Sequence, residues 1–219
     1  EMESFYSADK IIFEVNPSIP HLPGDCALPV AMADVIIESD LSLYELQDPP
    51  IGENEKTIAG LAAEMVHDGD CIQLGFGGIP NAIGFELMNR HDLGIHTEQI
   101  GASMAHMIQN GVVTNRYKNL DKGWSVGAFI IADNFTYNYV NNPPRIMMRR
   151  GRYTNDPMII AQQDNMVSIN AALQIDLTGQ VAAEAIGTVQ WSGTGGATDY
   201  AYGAYHSRGG RAMLCQIST

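Results

Sequence analysis

CIQLGFGGIPNAIGFEL, residues 71–87, is the stretch from which the fold can be read. CIQLGF (71–76) has the length and apolar character of a buried strand, and it runs straight into glycines. Pro80 then suits the first turn of a helix, where its missing N–H has no intrahelical partner to lose. Ala82, Ile83, Phe85 and Leu87 supply the apolar side of that helix. A strand turning through glycines into a helix is a building unit of α/β domains. Glycines at the turn let a ligand or another backbone approach closely, and the free N–H groups of the helix start favour negative charge.

The neighbouring segments extend this pattern. Upstream, Ile58, Leu61, Ala62 and Met65 recur at helical spacing from Glu53 onward, and Gly69 in HDGD serves as a stop. QDPPIGENEK (47–56) precedes them, and its adjacent Pro49 and Pro50 resist both helix and ladder, which marks a domain boundary. IIFEV (11–15) and DVIIES (34–39) read as strands on either side of the proline-punctuated loop NPSIPHLPGD. Downstream, GWSVGAFII (123–131) reads as one more strand and NFTYNYVNN (134–142) as a short helix or irregular segment. In MVSINAALQIDLTGQVAAEAIG (166–187), Leu173, Ile175 and Leu177 alternate with Gln174 and Asp176, and TGQ signals a hairpin. AMLCQIST (212–219) closes on an apolar run that reads as a core strand. The sum is an α/β domain with a β-rich later part, and both ends read as cut from something longer.

The 219 residues, 45% hydrophobic and 17% charged, suffice for a sizeable core and are too apolar for disorder. A net charge of −13 argues against sequence-independent binding to nucleic acid or anionic membrane. Apolar runs such as Val126–Ala132 are strand-sized rather than membrane-spanning, and no leader pattern opens the chain, so the expected compartment is the cytoplasm. Cys26, Cys71 and Cys215 are scattered and form no C-x-x-C pair, so they read as buried thiols without a disulfide framework or zinc site. No metal ligand set is expected.

Four segments can carry chemistry. GFGGIPNA (75–82) lacks the third glycine of a dinucleotide fingerprint, Pro80 standing in its place, and no Gly-Lys-Ser/Thr follows for a phosphate loop. It is either a tight turn or an approach site for a ligand. WSGTGGATDY (191–200) is a second donor-rich glycine turn, of the kind that lines anion-binding concavities or merely forms a loop. LGIHTEQIG (93–101) sets Glu98 in an almost uncharged context, where it is either a solvated loop residue or a partly desolvated nucleophile. His96 beside it reads as a packing or hydrogen-bonding residue. RIMMRRGR (145–152) reads as a solvated, partly salt-bridged loop with core methionines, or as a patch that neutralises ligand phosphates. YTNDP follows as a polar turn.

In this order and spacing, EVNPSIP, IQLGFGGIPNA, DLGIHTE, NGVVTN, NDPMIIAQQDNMVSINAALQIDLTGQV, GTGGATDY and GGRAMLCQIST resemble the acetyl-CoA hydrolase/transferase family, and within it the 4-hydroxybutyrate and butyrate:acetate CoA-transferases. The resemblance implies a CoA-transferase-like open α/β fold, part of a chain with two related domains and a site between them. Residues 1–50 would be the tail of the N-terminal domain and 51–219 most of the C-terminal one. It implies that Glu98 is the covalent catalyst, forming a glutamyl-CoA thioester in a ping-pong exchange. Gly75, Phe76, Gly77, Gly78, Ile79, Leu173 and Gly196 would contact CoA. Acyl-CoA and a short-chain carboxylate would be substrates, with no tightly bound cofactor, and the protein would be a homo-oligomer. Two positions depart from the family pattern: IGAS (100–103) where relatives commonly read I/F-S-D-G, and Ala197 where they often carry glutamine. A hydrolase of the same family and a non-catalytic CoA-binding module are the alternatives.

Overall fold

The computed structural model describes residues 2–46, 50–141 and 145–217. Part of the expected proline boundary (Gln47–Pro49), Asn142 and the closing Ser218 and Thr219 lie outside the described residues.

Helix α1 (Met2–Ser7) leads into β1 (Ile12–Val15) and β2 (Val35–Glu38), the two expected strands, which pair in parallel with Ile12 opposite Val35. Then come α2 (Glu53–Ala63), β3 (Cys71–Leu74), α3 (Gly78–Glu86) and β4 (Gly94–Ile95). The packed face of α2 differs from the expected one. Leu61 and Met65 are 63% and 49% exposed, whereas Ala59, Ala62, Ala63 and Val66 are buried. Alanines let α2 approach α3 closely, so backbone proximity selects small residues over the larger apolar ones. The helix also stops at Ala63; Gly69, with φ +83°, belongs to the following tight turn, where the Asp70 carboxylate accepts the His67 N–H at 2.7 Å.

The next elements are β5 (Gln99–Ile100), α4 (Ala102–Gln109), β6 (Ser125–Gly127), β7 (Phe129–Ile130), α5 (Asn134–Val140) and β8 (Ile146–Met148). GWSVGAFII is therefore two strands rather than one. β6 pairs with β8 and β7 with β5, and the chain changes partners at Ala128. Asp133 caps α5 by accepting the Thr136 N–H at 2.9 Å, which decides the helical reading of that segment. RIMMRRGR is not a loop: it holds β8 and enters α6 (Gly151–Thr154). α7 (Pro157–Ile160) begins at an Asp156 cap, and β9 (Met166–Ala171) follows. β10 (Gln174–Ile175) and β11 (Val181–Ala182) form the hairpin signalled by TGQ, and β12 (Ala185–Ile186) with β13 (Val189–Gln190) forms another. α8 (Ala197–His206) and β14 (Arg211–Cys215) complete the described chain. β14 is the strand expected from the closing apolar run: it lies at one edge of the sheet and puts Met213 into the core.

The central sheet runs β14-β9-β3-β4, parallel throughout. The period of two along β3 sends Ile72 and Leu74 into the main core with Ala82 and Ile83 of α3. Cys71 goes to the opposite face, with Ile160, Met166, Tyr200 and Ala204. Helices thus cover both faces, and each fully buried Ile or Leu side chain contributes roughly 1.5–3 kcal/mol. From β3 the chain crosses through α3 to β4 on one side; from β9 it crosses through α8 to β14 on the other. The strand order reverses between β3 and β9. In open α/β sheets the crevice beyond the carboxyl ends of strands at such a reversal is where ligands bind.

Candidate functional site

At the carboxyl end of β3 the Gly75 N–H bonds the Ile169 carbonyl of β9 at 2.7 Å. A β-carbon at Gly75 would lie 2.5 Å from the Asn170 side-chain oxygen, so only glycine fits against that neighbour. Gly77, with φ +112°, makes the turn into α3 in a conformation that side chains disfavour. Phe76 between them stands 61% exposed over the crevice.

Strand β4 is only two residues long, and side chains complete its far edge. Asn115 accepts the Ile95 N–H at 2.9 Å, and buried Lys118 donates to the Ile95 carbonyl at 2.8 Å and to the Trp124 carbonyl at 2.7 Å. Burial lowers the pKa of that ammonium from its ordinary value. His96 follows, fully buried, with Nε2 3.0 Å from the Thr154 carbonyl. A carbonyl can only accept, so Nε2 carries the proton and Nδ1 is left as a lone pair, which has no partner. Burial, then the Lys118 charge, push the imidazole pKa down to about 4, keeping it neutral.

Two residues on, Glu98 is half-buried in the bend between β4 and β5. Its carbonyl accepts the N–H groups of Ala128 and Phe129 at 2.7 and 3.1 Å, the point where β6 hands over to β7. Its carboxylate Oε2 accepts the Gly196 N–H at 3.1 Å, across 98 residues of chain. Gly196 has an ordinary φ of −81°; it must be glycine for space, because a β-carbon there would collide with the Glu98 carboxylate and the Asn155 amide nitrogen.

The crevice beneath has a volume of about 350 Å³ and lies among the Gly75–Phe76 turn, Glu98, Glu184 and the 193–196 turn. Gln73 and Asn170 form its inner end. These two exchange amide hydrogen bonds at 3.0 Å in both directions, and Ser168 donates to Gln73 at 2.8 Å. The layer is satisfied internally, so it rigidifies the ends of β3 and β9 at no unpaired cost. A carboxylate partly out of water beside backbone donors is suited to attack an activated carbonyl, with an N–H ready for the oxygen that gains charge.

Residues 133–219 match the family model described as the acetyl-CoA hydrolase/transferase C-terminal domain. A succinyl-CoA:cyclohexane-1-carboxylate CoA transferase of Geobacter metallireducens is 41% identical over 218 residues, which is 100% of this chain and 50% of that protein. The chain is similar along its length to proteins of the acetyl-CoA hydrolase/transferase family. A 4-hydroxybutyrate coenzyme A transferase of Clostridium kluyveri is 41% identical over 213 residues, 97% of this chain and 50% of its own. The crystal structure of RipA from Yersinia pestis superposes with a TM-score of 0.90 at 42% identity, covering 96% of this chain and 48% of that one. The chain spans about half the length of the curated relatives it matches.

Of the family positions singled out in the sequence, Gly75, Phe76, Glu98 and Gly196 line one crevice. Gly77 borders an adjoining hollow that shares Gly75 and Phe76. Gly78 and Ile79 form the first turn of α3, Ile79 packing on the core, and neither lines the crevice. Leu173 does not line it either; its N–H bonds the Ala182 carbonyl at 2.9 Å and holds the first hairpin to the end of β9. The arginines stand away from it. Arg149 lies over the Tyr153 ring at 4.0 Å and faces Asp25, and the Arg150 side chain bonds the Asp25 carbonyl at 3.2 Å. Arg149 and Arg150 thus fasten the segment around Asp25. Gln73, Ser168, Asn170, Asn155 and Glu184 escaped the sequence reading. For Ser168 and Asn170 a signal was present, polar residues two apart inside an otherwise apolar strand; Gln73 is a single polar residue in the apolar CIQL. Among the described residues no group of three or more His, Cys, Asp or Glu could hold a metal ion, and no helix is long and apolar enough to cross a membrane.

Proposed function

We propose that this chain carries the nucleophile and most of the CoA-contacting surface of an acyl-CoA:carboxylate CoA-transferase. One observation carries the reading: the half-buried Glu98 carboxylate, anchored on the Gly196 N–H, faces a crevice at the strand-order reversal. One Glu98 oxygen attacks the thioester carbonyl, breaking the C–S bond and giving a mixed anhydride and CoA thiolate. The thiolate attacks the glutamyl carbonyl, releasing the first acid and leaving a glutamyl-CoA thioester. The acceptor carboxylate attacks that carbonyl, and the displaced thiolate then takes the new acyl group and frees Glu98. Every intermediate keeps an activated carbonyl, so exclusion of water matters. The Gly196 N–H is placed to serve the glutamyl oxygen at each stage.

Butyryl-CoA or 4-hydroxybutyryl-CoA with acetate are the substrates this reading favours, given the relatives' names. The same reading makes residues 1–50 the tail of one domain and 51–219 most of the next, in a cytoplasmic homo-oligomer. Mass spectrometry of the intact protein mixed with butyryl-CoA tests the mechanism: a CoA adduct on Glu98 is expected, and borohydride should reduce it at that residue. An adduct elsewhere, or none, overturns the reading. Glu98→Ala should abolish exchange with the fold retained, and Glu98→Asp should cost about 10²-fold or more, since a carboxylate drawn back by one methylene misses the reacting carbon. Product release that does not depend on acetate would instead mark a hydrolase.

A further inference from the structure

We propose that Glu184 is a positioning residue for the reaction at Glu98: it fixes the glycine turn whose last amide holds the nucleophile. The inference rests on the reading of Glu98 as that nucleophile. Glu184 sits half-buried between the two hairpins and lines the crevice opposite the Gly75 turn. Its backbone carbonyl accepts the N–H groups of Trp191 and Ser192 at 2.7 and 3.1 Å. Its side-chain Oε1 accepts the Gly195 N–H at 3.3 Å. The next amide in the chain, that of Gly196, is the one bonded to Glu98. Two carboxylates thus grip successive amides of one turn.

Packing does not hold this turn. Residues 191–195 are exposed, and a β-carbon on Gly193 or Gly195 would meet nothing within 4 Å. The side-chain bonds of Gln190 and Ser192 stay within the loop itself, to the carbonyls of Ser192 and Gly193. Glu184 is different, because its segment follows directly on β11, whose Ala182 carbonyl accepts the N–H of Leu173, two residues beyond the end of β9. The Gly196 amide is thus held from both sides: by α8 after it, where the Tyr200 N–H bonds the Gly196 carbonyl at 3.0 Å, and by Glu184 on the 191–195 side before it. During exchange Glu98 passes from carboxylate to anhydride to thioester. Its oxygen finds the same N–H in each state only if the turn keeps its place. What Glu184 supplies is an acceptor oxygen, which a glutamine also has.

The test follows the rate at which the intact protein loads CoA onto Glu98 from butyryl-CoA in a single turnover, with amide hydrogen exchange over 191–196. Glu184→Ala should slow loading about tenfold, less than the 10²–10³ seen when an oxyanion donor is removed outright. It should also speed exchange of the 191–196 amides, with KM little changed. Glu184→Gln should recover most of the rate and the slow exchange. A glutamine variant as slow as the alanine one would mean that charge acts rather than the bond, and overturns the proposal. So does wild-type loading by Glu184→Ala, or amide exchange unaltered in it. If the unsubstituted protein itself forms no adduct, the nucleophile reading falls first and takes this one with it.

Discussion

A methyl group on Gly196 has no free volume to enter. It would meet both the Glu98 carboxylate and the Asn155 amide, which stand where its β-carbon would lie. Gly196→Ala should therefore cut covalent loading at Glu98 at least tenfold. Stability should fall by only about 1–3 kcal/mol, the usual penalty of overpacking, in a urea titration. Cys71 behaves differently from an ordinary thiol. Burial, outweighing nearby Lys118, pushes its pKa up to about 11, so a thiol reagent at neutral pH should leave it unmodified in the folded protein and label it in urea. Rapid labelling of Cys71 without denaturant would contradict the packing described. At this scale the sequence exposed the glutamate but not its surroundings. An uncharged context around Glu98 was visible; the partner amide, 98 residues on, was not, because nothing local encodes a contact closed by tertiary folding.

For elements, the edge of β4 gives the sharpest consequence. His96 holds no proton on Nδ1 when folded, with a pKa near 4, whereas the unfolded chain binds one from about 6.5 downward. The unfolded state therefore gains protons first as pH falls. His96 costs nothing above 6.5, and stability declines between 6.5 and 4, by on the order of 3 kcal/mol at about 1.4 kcal/mol per unit. Urea midpoints at pH 7 and 4.5 should show this slope, and His96→Gln, whose amide can still reach the Thr154 carbonyl, should flatten it. A slope unchanged in that variant would assign the effect to other groups. Helix α2 offers a second contrast: Ala62→Leu should destabilise by about 1–3 kcal/mol, and exposed Leu61→Ala by no more than about 0.5 kcal/mol. Helical spacing alone had marked Leu61 as buried, because periodicity reports which residues share a side, not which side meets a neighbour close enough to demand alanine. β3 and α3 were legible since an apolar run, glycines and a proline agree; the split of GWSVGAFII was not, since the change of partners at Ala128 is dictated by β5 and β8.

For the whole molecule, alternating strands and helices announced an α/β class, and the reversal between β3 and β9 puts the crevice where that class places ligands. Strand adjacency was beyond reach of the sequence alone: β3 lies between a neighbour about one helix away in sequence and another that starts at residue 166. This arrangement has a kinetic corollary. Near-sequence pairings such as β3 with β4 can form early, while β9, α8 and the turn before it must close loops of many tens of residues, which slows such topologies. Glu98 would then reach its strand well before Gly196 arrives to meet it. In a refolding time course, secondary structure should recover ahead of chemical competence, and the lag between the two would time the docking of the last third of the chain.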